Sequence, residues 1–159
     1  MVLRAIATRD ERSFFALTLK SLTRIEPPFS GEPFVCLIWD HVGGRTSEAR
    51  IEFARRLIDG GCRYAVCGGS EADRWHDALD LASIGLSDQG RREGWKETFV
   101  MTAGQSHEKT EDVAFFFSVA ATEADAITVT KFLLLHIGTG PSAEPLEAAV
   151  KRYVESPAA

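Results

Sequence analysis

Apolar residues in this 159-residue chain gather in short runs, separated by polar, glycine-rich or proline-rich stretches. The most continuous run is Phe34-Val35-Cys36-Leu37-Ile38-Trp39. A run of that length between turn residues predicts a strand buried on both faces of a parallel sheet. Thr46 or Ser47 can then cap a helix in which Ile51, Ala54, Leu57 and Ile58 recur at helical spacing. Gly60 and Gly61 end that helix, because glycine accepts the left-handed cap position. Residues 63–67 predict a second strand, Gly68 and Gly69 a turn, and Ser70 with Asp73 a capping pair. Trp75, Ala78, Leu79 and Ala82 form the inward stripe of the next helix, and residues 85–96 read as a polar loop. A third strand is expected over 98–102. Thr110-Glu111-Asp112 opens a third helix, with Val113, Phe116, Phe117 and Ala120 on one side. A strand over 114–121 competes with it, and the threonine cap and two early acids favour the helix. Residues 129–137 predict a fourth strand. A last helix is expected over 145–154, with Pro145 suited to its first turn.

This alternation gives an α/β class: one domain over 1–159, three-layer α/β/α, with a mostly parallel sheet of four or five strands and Rossmann-like or flavodoxin-like winding. Residues 1–33 are ambiguous, since Phe15, Leu17 and Leu19 fit a strand face while Phe15, Leu19 and Leu22 fit a helix stripe. Pro27, Pro28 and Pro33 mark a connector.

Charge narrows the partners. The net charge is −5, and the densest basic group, Arg45, Arg50, Arg55 and Arg56, is interleaved with Glu48, Glu52 and Asp59. That pattern describes a salt-bridged helix face rather than a phosphate-neutralising surface, so nucleic acid is not expected as a partner. No apolar run reaches the roughly 18 residues of a membrane helix, and the opening residues are too briefly apolar for a secretory signal. A cytoplasmic protein is expected. Cys36, Cys62 and Cys67 form no CxxC pair and read as buried free thiols. Their separation places Cys62 and Cys67 on opposite faces of one strand.

Candidate chemistry lies at the strand exits, where open parallel sheets bind ligands. Those exits hold Asp40, His41, Gly68, Gly69, Ser70, Ser106, His107 and Thr139. A carboxylate beside an imidazole orients a general base, and glycine amides at a helix start suit an anion. The plainer alternative is that wound sheets need glycines and hydroxyls there simply to turn and cap. No dinucleotide or phosphate-loop glycine pattern, serine elbow or zinc-binding HExxH is present. Asp73, His76, Asp77 and Asp80 share one helix face, but it lies opposite the Trp75 stripe and reads as solvated. His136 reads as a hydrogen-bonded core or edge histidine, and Phe115-Phe116-Phe117 as core, with an outward Phe115 marking a partner surface. No metal or cofactor is expected.

Gly61-Cys62-Arg63-Tyr64, Trp75 with Asp77 and Asp80, Met101-Thr102, His107-Glu108, Phe117-Ser118 and Leu133-Leu134-Leu135-His136-Ile137 resemble a family of small bacterial α/β domains of unknown function. The likeness covers roughly residues 60–138 and extends weakly to a first strand over 14–19. It departs where Cys67-Gly68 replaces a Trp-Gly pair, where His76 replaces an acid, and where residues 102–107 replace a tighter Thr-Thr-Trp-His string. The resemblance implies an α/β fold in a bacterial cytosol and brings no catalytic residues. Two functions are therefore expected. The first is non-catalytic binding of another protein or self-association. The second is an enzyme or sensor of a small phosphorylated or nucleotide-like ligand at the sheet's carboxyl edge, anchored by Asp40 and His107.

Overall fold

The computed structural model describes residues 2–22, 25–88, 101–103, 109–120 and 129–156. Strands β1 (Arg4–Arg9) and β2 (Arg12–Leu19) form an antiparallel hairpin. Then follow β3 (Phe34–Asp40), α1 (Ser47–Asp59), β4 (Cys62–Gly68), α2 (Ala72–Asp88), β5 (Met101–Ala103), α3 (Thr110–Phe115), β6 (Lys131–Ile137) and α4 (Ala143–Glu155). A π-helical turn, Phe116–Ala120, continues α3. The six strands among the described residues make one sheet in the order β1-β2-β6-β3-β4-β5, parallel throughout except for the β1–β2 pair.

The four expected strands therefore lie side by side and point the same way. Their winding differs from both common doubly wound orders, because the last strand sits between β2 and β3. Composition explains that place. Every residue from Phe132 to Ile137 is buried, which suits a strand covered on both faces and flanked on both edges. The ambiguous N-terminal segment belongs to the sheet, with β2 as the expected strand over 14–19 and β1 as an unforeseen edge strand.

Alternation along β3 divides its side chains between two apolar clusters. Phe34, Cys36 and Ile38 join Phe53, Leu57 and Ile58 of α1 and Trp75, Leu79 and Ala82 of α2. Val35, Leu37 and Trp39 join Val113 and Phe117, from α3 and its π turn, and Leu146, Ala149 and Val150 of α4. Thr46 caps α1 as expected, its hydroxyl accepting from the Ala49 amide at 3.1 Å. The expected Glu52–Arg56 pair is formed. Helix α2 differs at both ends: it begins at Ala72, beyond the Ser70 cap, and extends through four residues of the expected 85–96 loop. Residues 98–100 and 104–108 lie outside the described residues, Ser106 and His107 among them.

One parity expectation fails for a definite reason. Cys62 and Cys67 both enter the α1–α2 cluster, together with Cys36. The β3–β4 register shifts between Phe34 and Val35, which pair with Cys62 and Tyr64. Arg63 is the extra residue of a bulge, so the two cysteines end up on one face. All three are free buried thiols. Burial pushes Cys62 up to about 12 and raises Cys36 and Cys67 well above the ordinary thiol range, which makes them poor nucleophiles.

Strand β1 also holds α4. Arg4 donates to both carboxylate oxygens of Glu147, at 2.9 and 2.8 Å. Arg9 reaches the carbonyls of Val154 and Glu155, at 3.5 and 3.3 Å, where a cation complements a helix C-terminus. No described helix is long and apolar enough to cross a membrane.

Candidate functional site at the ends of β3 and β6

Strands β3 and β6 are neighbours, yet the chain leaves them toward opposite faces: β3 toward α1, and β6 toward α4. That divergence marks the place where α/β sheets hold ligands. Asp40 and His41 leave β3 there, and His136 lies one residue before the end of β6. Adjacent residues on a strand face opposite ways, so Asp40 and His41 do not converge on one pocket.

Asp40 organises its own loop. One carboxylate oxygen accepts the amides of Val42 at 3.0 Å and Gly43 at 2.9 Å, and the other accepts the indole N–H of Trp75 at 3.1 Å. The Arg45 Nε lies 3.7 Å from that second oxygen. With 4% of its surface exposed, Asp40 is a buried, paired carboxylate.

His41 turns to the α4 side. Its Nε2 lies 2.9 Å from Nδ1 of His136, and Nε2 of His136 lies 2.8 Å from Oε2 of Glu147. The two rings stack with centroids 5.1 Å apart. The result is a continuous line, His41–His136–Glu147–Arg4, across β3, β6, α4 and β1. Its members grade from half-buried His41 through fully buried His136 to half-exposed Glu147 and exposed Arg4. His136 is thus the hydrogen-bonded core histidine that the sequence suggests.

The electrostatics follow from this burial. Desolvation lowers His136 despite its bond to Glu147. Desolvation also lowers His41, the neighbouring His136 adds to it, and Asp40 opposes it. Burial alone would raise Glu147, but its bonds from Arg4 and His136 prevail and hold it below the ordinary carboxylate range.

A pH dependence follows with a definite sign. Between the depressed folded-state values and the ordinary 6.5 of histidine, the unfolded chain binds protons that the folded chain does not. Stability is therefore full above that value and declines as pH falls through it, before the Glu147 contribution is lost at still lower pH. Urea midpoints at pH 7.5, 6.5 and 5.5 are expected to fall in that order. Equal midpoints across the series would show that the two imidazoles do not resist protonation.

The remaining candidates take other roles. Gly68 and Gly69 are backed by the Trp39 indole, which a Cβ at either position would approach within 2.7 and 2.9 Å. Ser70 and Thr139 are exposed. Gly140 lies against His41, where a Cβ would meet Nδ1 at 3.1 Å. A shallow groove of about 440 Å³ opens beside this rim, lined by Lys109, Thr110, Glu111, Pro141, Ser142 and Pro145. Among the described residues no group of three His, Cys, Asp or Glu is placed to hold a metal ion. On α2, Asp73 and Asp77 are exposed and His76 pairs with Asp80 at 3.3 Å, in keeping with a solvated face. Glu147 escapes a reading of the sequence because its partners lie far away along the chain. The available signal was an acid one turn into a helix that follows a strand carrying a histidine.

A family model described as a domain of unknown function, DUF7684, matches residues 14–153. No curated protein matches the chain.

Proposed function

Because the chain belongs to DUF7684, a family defined by a domain of unknown function, we propose its role from the site itself: a cytoplasmic domain that binds a small polar ligand at the β3–β6 rim, with His41 as the working acid–base group. The single observation that carries this reading is the line of hydrogen bonds from His41 through His136 to Glu147. A half-exposed imidazole backed by a buried imidazole and an ionised carboxylate is an arrangement suited to taking up and returning a proton. We read the architecture as three layers, with the helices on both faces leaving the rim as the accessible edge. The buried thiols favour a reducing compartment.

Binding of another protein, or self-association, is the second reading. Leu81 and Ile84 favour it, being 51% and 57% exposed at i and i+3 on α2. Among the described residues the other large exposed apolar side chains are dispersed, with Val2 before β1, Val42 at the rim and Phe115 on α3, beyond the opposite sheet face.

Native mass spectrometry of the protein recovered from its host's lysate separates the two. A small molecule retained by wild type and lost from His41→Ala is the expected result. A retained protein, or a second copy, in place of that molecule supports the α2 reading. Identical small-molecule-free spectra for wild type and variant would remove the rim reading.

A further inference from the structure

We propose that Glu147, acting through His136, fixes which nitrogen of His41 is left bare, and so fits the rim to a phosphate-type oxyacid that gives His41 a proton. This rests on the reading that His41 is the working group, and it adds the ligand's chemistry and a positioning role for Glu147.

Glu147 is held by two hydrogen bonds from Arg4 and one contact with His136. An ionised carboxylate only accepts hydrogen bonds, so His136 carries its hydrogen on Nε2. A neutral imidazole has one N–H, which leaves Nδ1 of His136 as an acceptor. His41 Nε2, 2.9 Å away, must then be the donor. The bare lone pair of His41 is therefore on Nδ1, beside Gly140, where the absence of a side chain lets the loop come close.

Charge then selects the ligand. Among the described residues, the charged groups that act on the line are Arg4 on β1 and Glu147 on α4, which touch it, and Asp40, which acts on His41 from the other side of β3. Arg4 and Glu147 offset one another, and two imidazolium rings at 2.9 Å repel, so the pair takes one proton at a time. In the step proposed, an O–H bond of the ligand breaks, its proton goes to Nδ1 of His41, and the electron pair stays on the ligand oxygen. The resulting imidazolium and oxyanion attract one another. The ligand must still carry an acidic O–H near neutral pH. A phosphate monoester, with its second pKa near 6, keeps such a proton on about a tenth of its molecules at pH 7 and on about half at pH 6, and inorganic phosphate keeps one as well; sulfate, of similar shape, has no such proton.

The test is NMR of the full chain with 15N-labelled histidine at pH 7. Without ligand, His41 and His136 are both expected to carry hydrogen on Nε2. Inorganic phosphate and glycerol phosphate, titrated separately to tell the two sources apart, are expected to protonate His41 Nδ1, and sulfate to bind about tenfold more weakly. Glu147→Gln is expected to mix the His41 tautomers and weaken phosphate by about tenfold. Hydrogen on His41 Nδ1 in the free protein, or equal binding of phosphate and sulfate, would overturn the proposal, and neither measurement depends on the variant folding. Failure of phosphate to reach His41, alongside a different retained molecule lost from His41→Ala, overturns this inference and leaves the reading of the rim intact.

Discussion

Trp75→Ala is expected to cost about 4 kcal/mol or more of folding stability, a large share of the roughly 5–15 kcal/mol typical of a domain. Trp75 is among the largest fully buried side chains, and it meets Phe53 edge-on with centroids 5.8 Å apart. Its removal opens a cavity beneath α1 and α2, where large-to-small aromatic changes cost about 3–5 kcal/mol. It also takes the indole donor from a carboxylate oxygen of Asp40, stranding a buried acceptor at a cost of about 1–3 kcal/mol. Trp75→Phe separates these effects, because it keeps most of the packing and loses the donor. An intermediate loss is expected for it, and urea unfolding of the three proteins measures the series. Wild-type stability in Trp75→Phe would show that the indole–carboxylate bond contributes nothing. A loss under about 2 kcal/mol in Trp75→Ala would show that this part of the core repacks freely.

The second large effect is expected at Gly61. Its φ is +120°, and a Cβ there would stand 2.3 Å from the carbonyl oxygen of Glu32. That obstacle is backbone, which cannot swing aside as a side chain can. Gly31 supplies the control, since it too has positive φ, +88°, but a Cβ there would meet nothing within 4 Å. Gly31→Ala is expected to cost only the conformational strain, about 1–2 kcal/mol. Gly61→Ala adds the clash and is expected to lose about 3 kcal/mol or more. The bulge that begins at the next residue would be disturbed with it. Denaturation of the two variants side by side decides the matter: equal losses would mean that the chain near Glu32 gives way.

Much of the architecture could be read from local pattern. The continuous apolar run at β3, the Trp75 stripe and the Thr46 cap are signals in which neighbouring residues dictate their own conformation. What local pattern could not supply was long-range pairing. Nothing within residues 129–137 says that they enter the sheet between β2 and β3, and without that order His136 cannot be brought to His41. The bulge at Arg63 shows the same limit on a smaller scale, because strict alternation holds only while the register does. At the site, Asp40 and His41 were both legible as polar residues leaving a buried strand. Their division of labour was not, because it depends on Trp75 waiting on one face and His136 on the other. Ser106 and His107 lie outside the described residues.

The two arginines of β1 have a mechanical consequence. They grasp one helix near its opposite ends, Arg4 at Glu147 and Arg9 at the final carbonyls. Sliding α4 along the sheet by one turn, about 5.4 Å, would break both grips together. The edge strand thus works as a splint, and the spacing between a helix carboxylate and a strand imidazole is set by contacts made at the outer margin of the molecule.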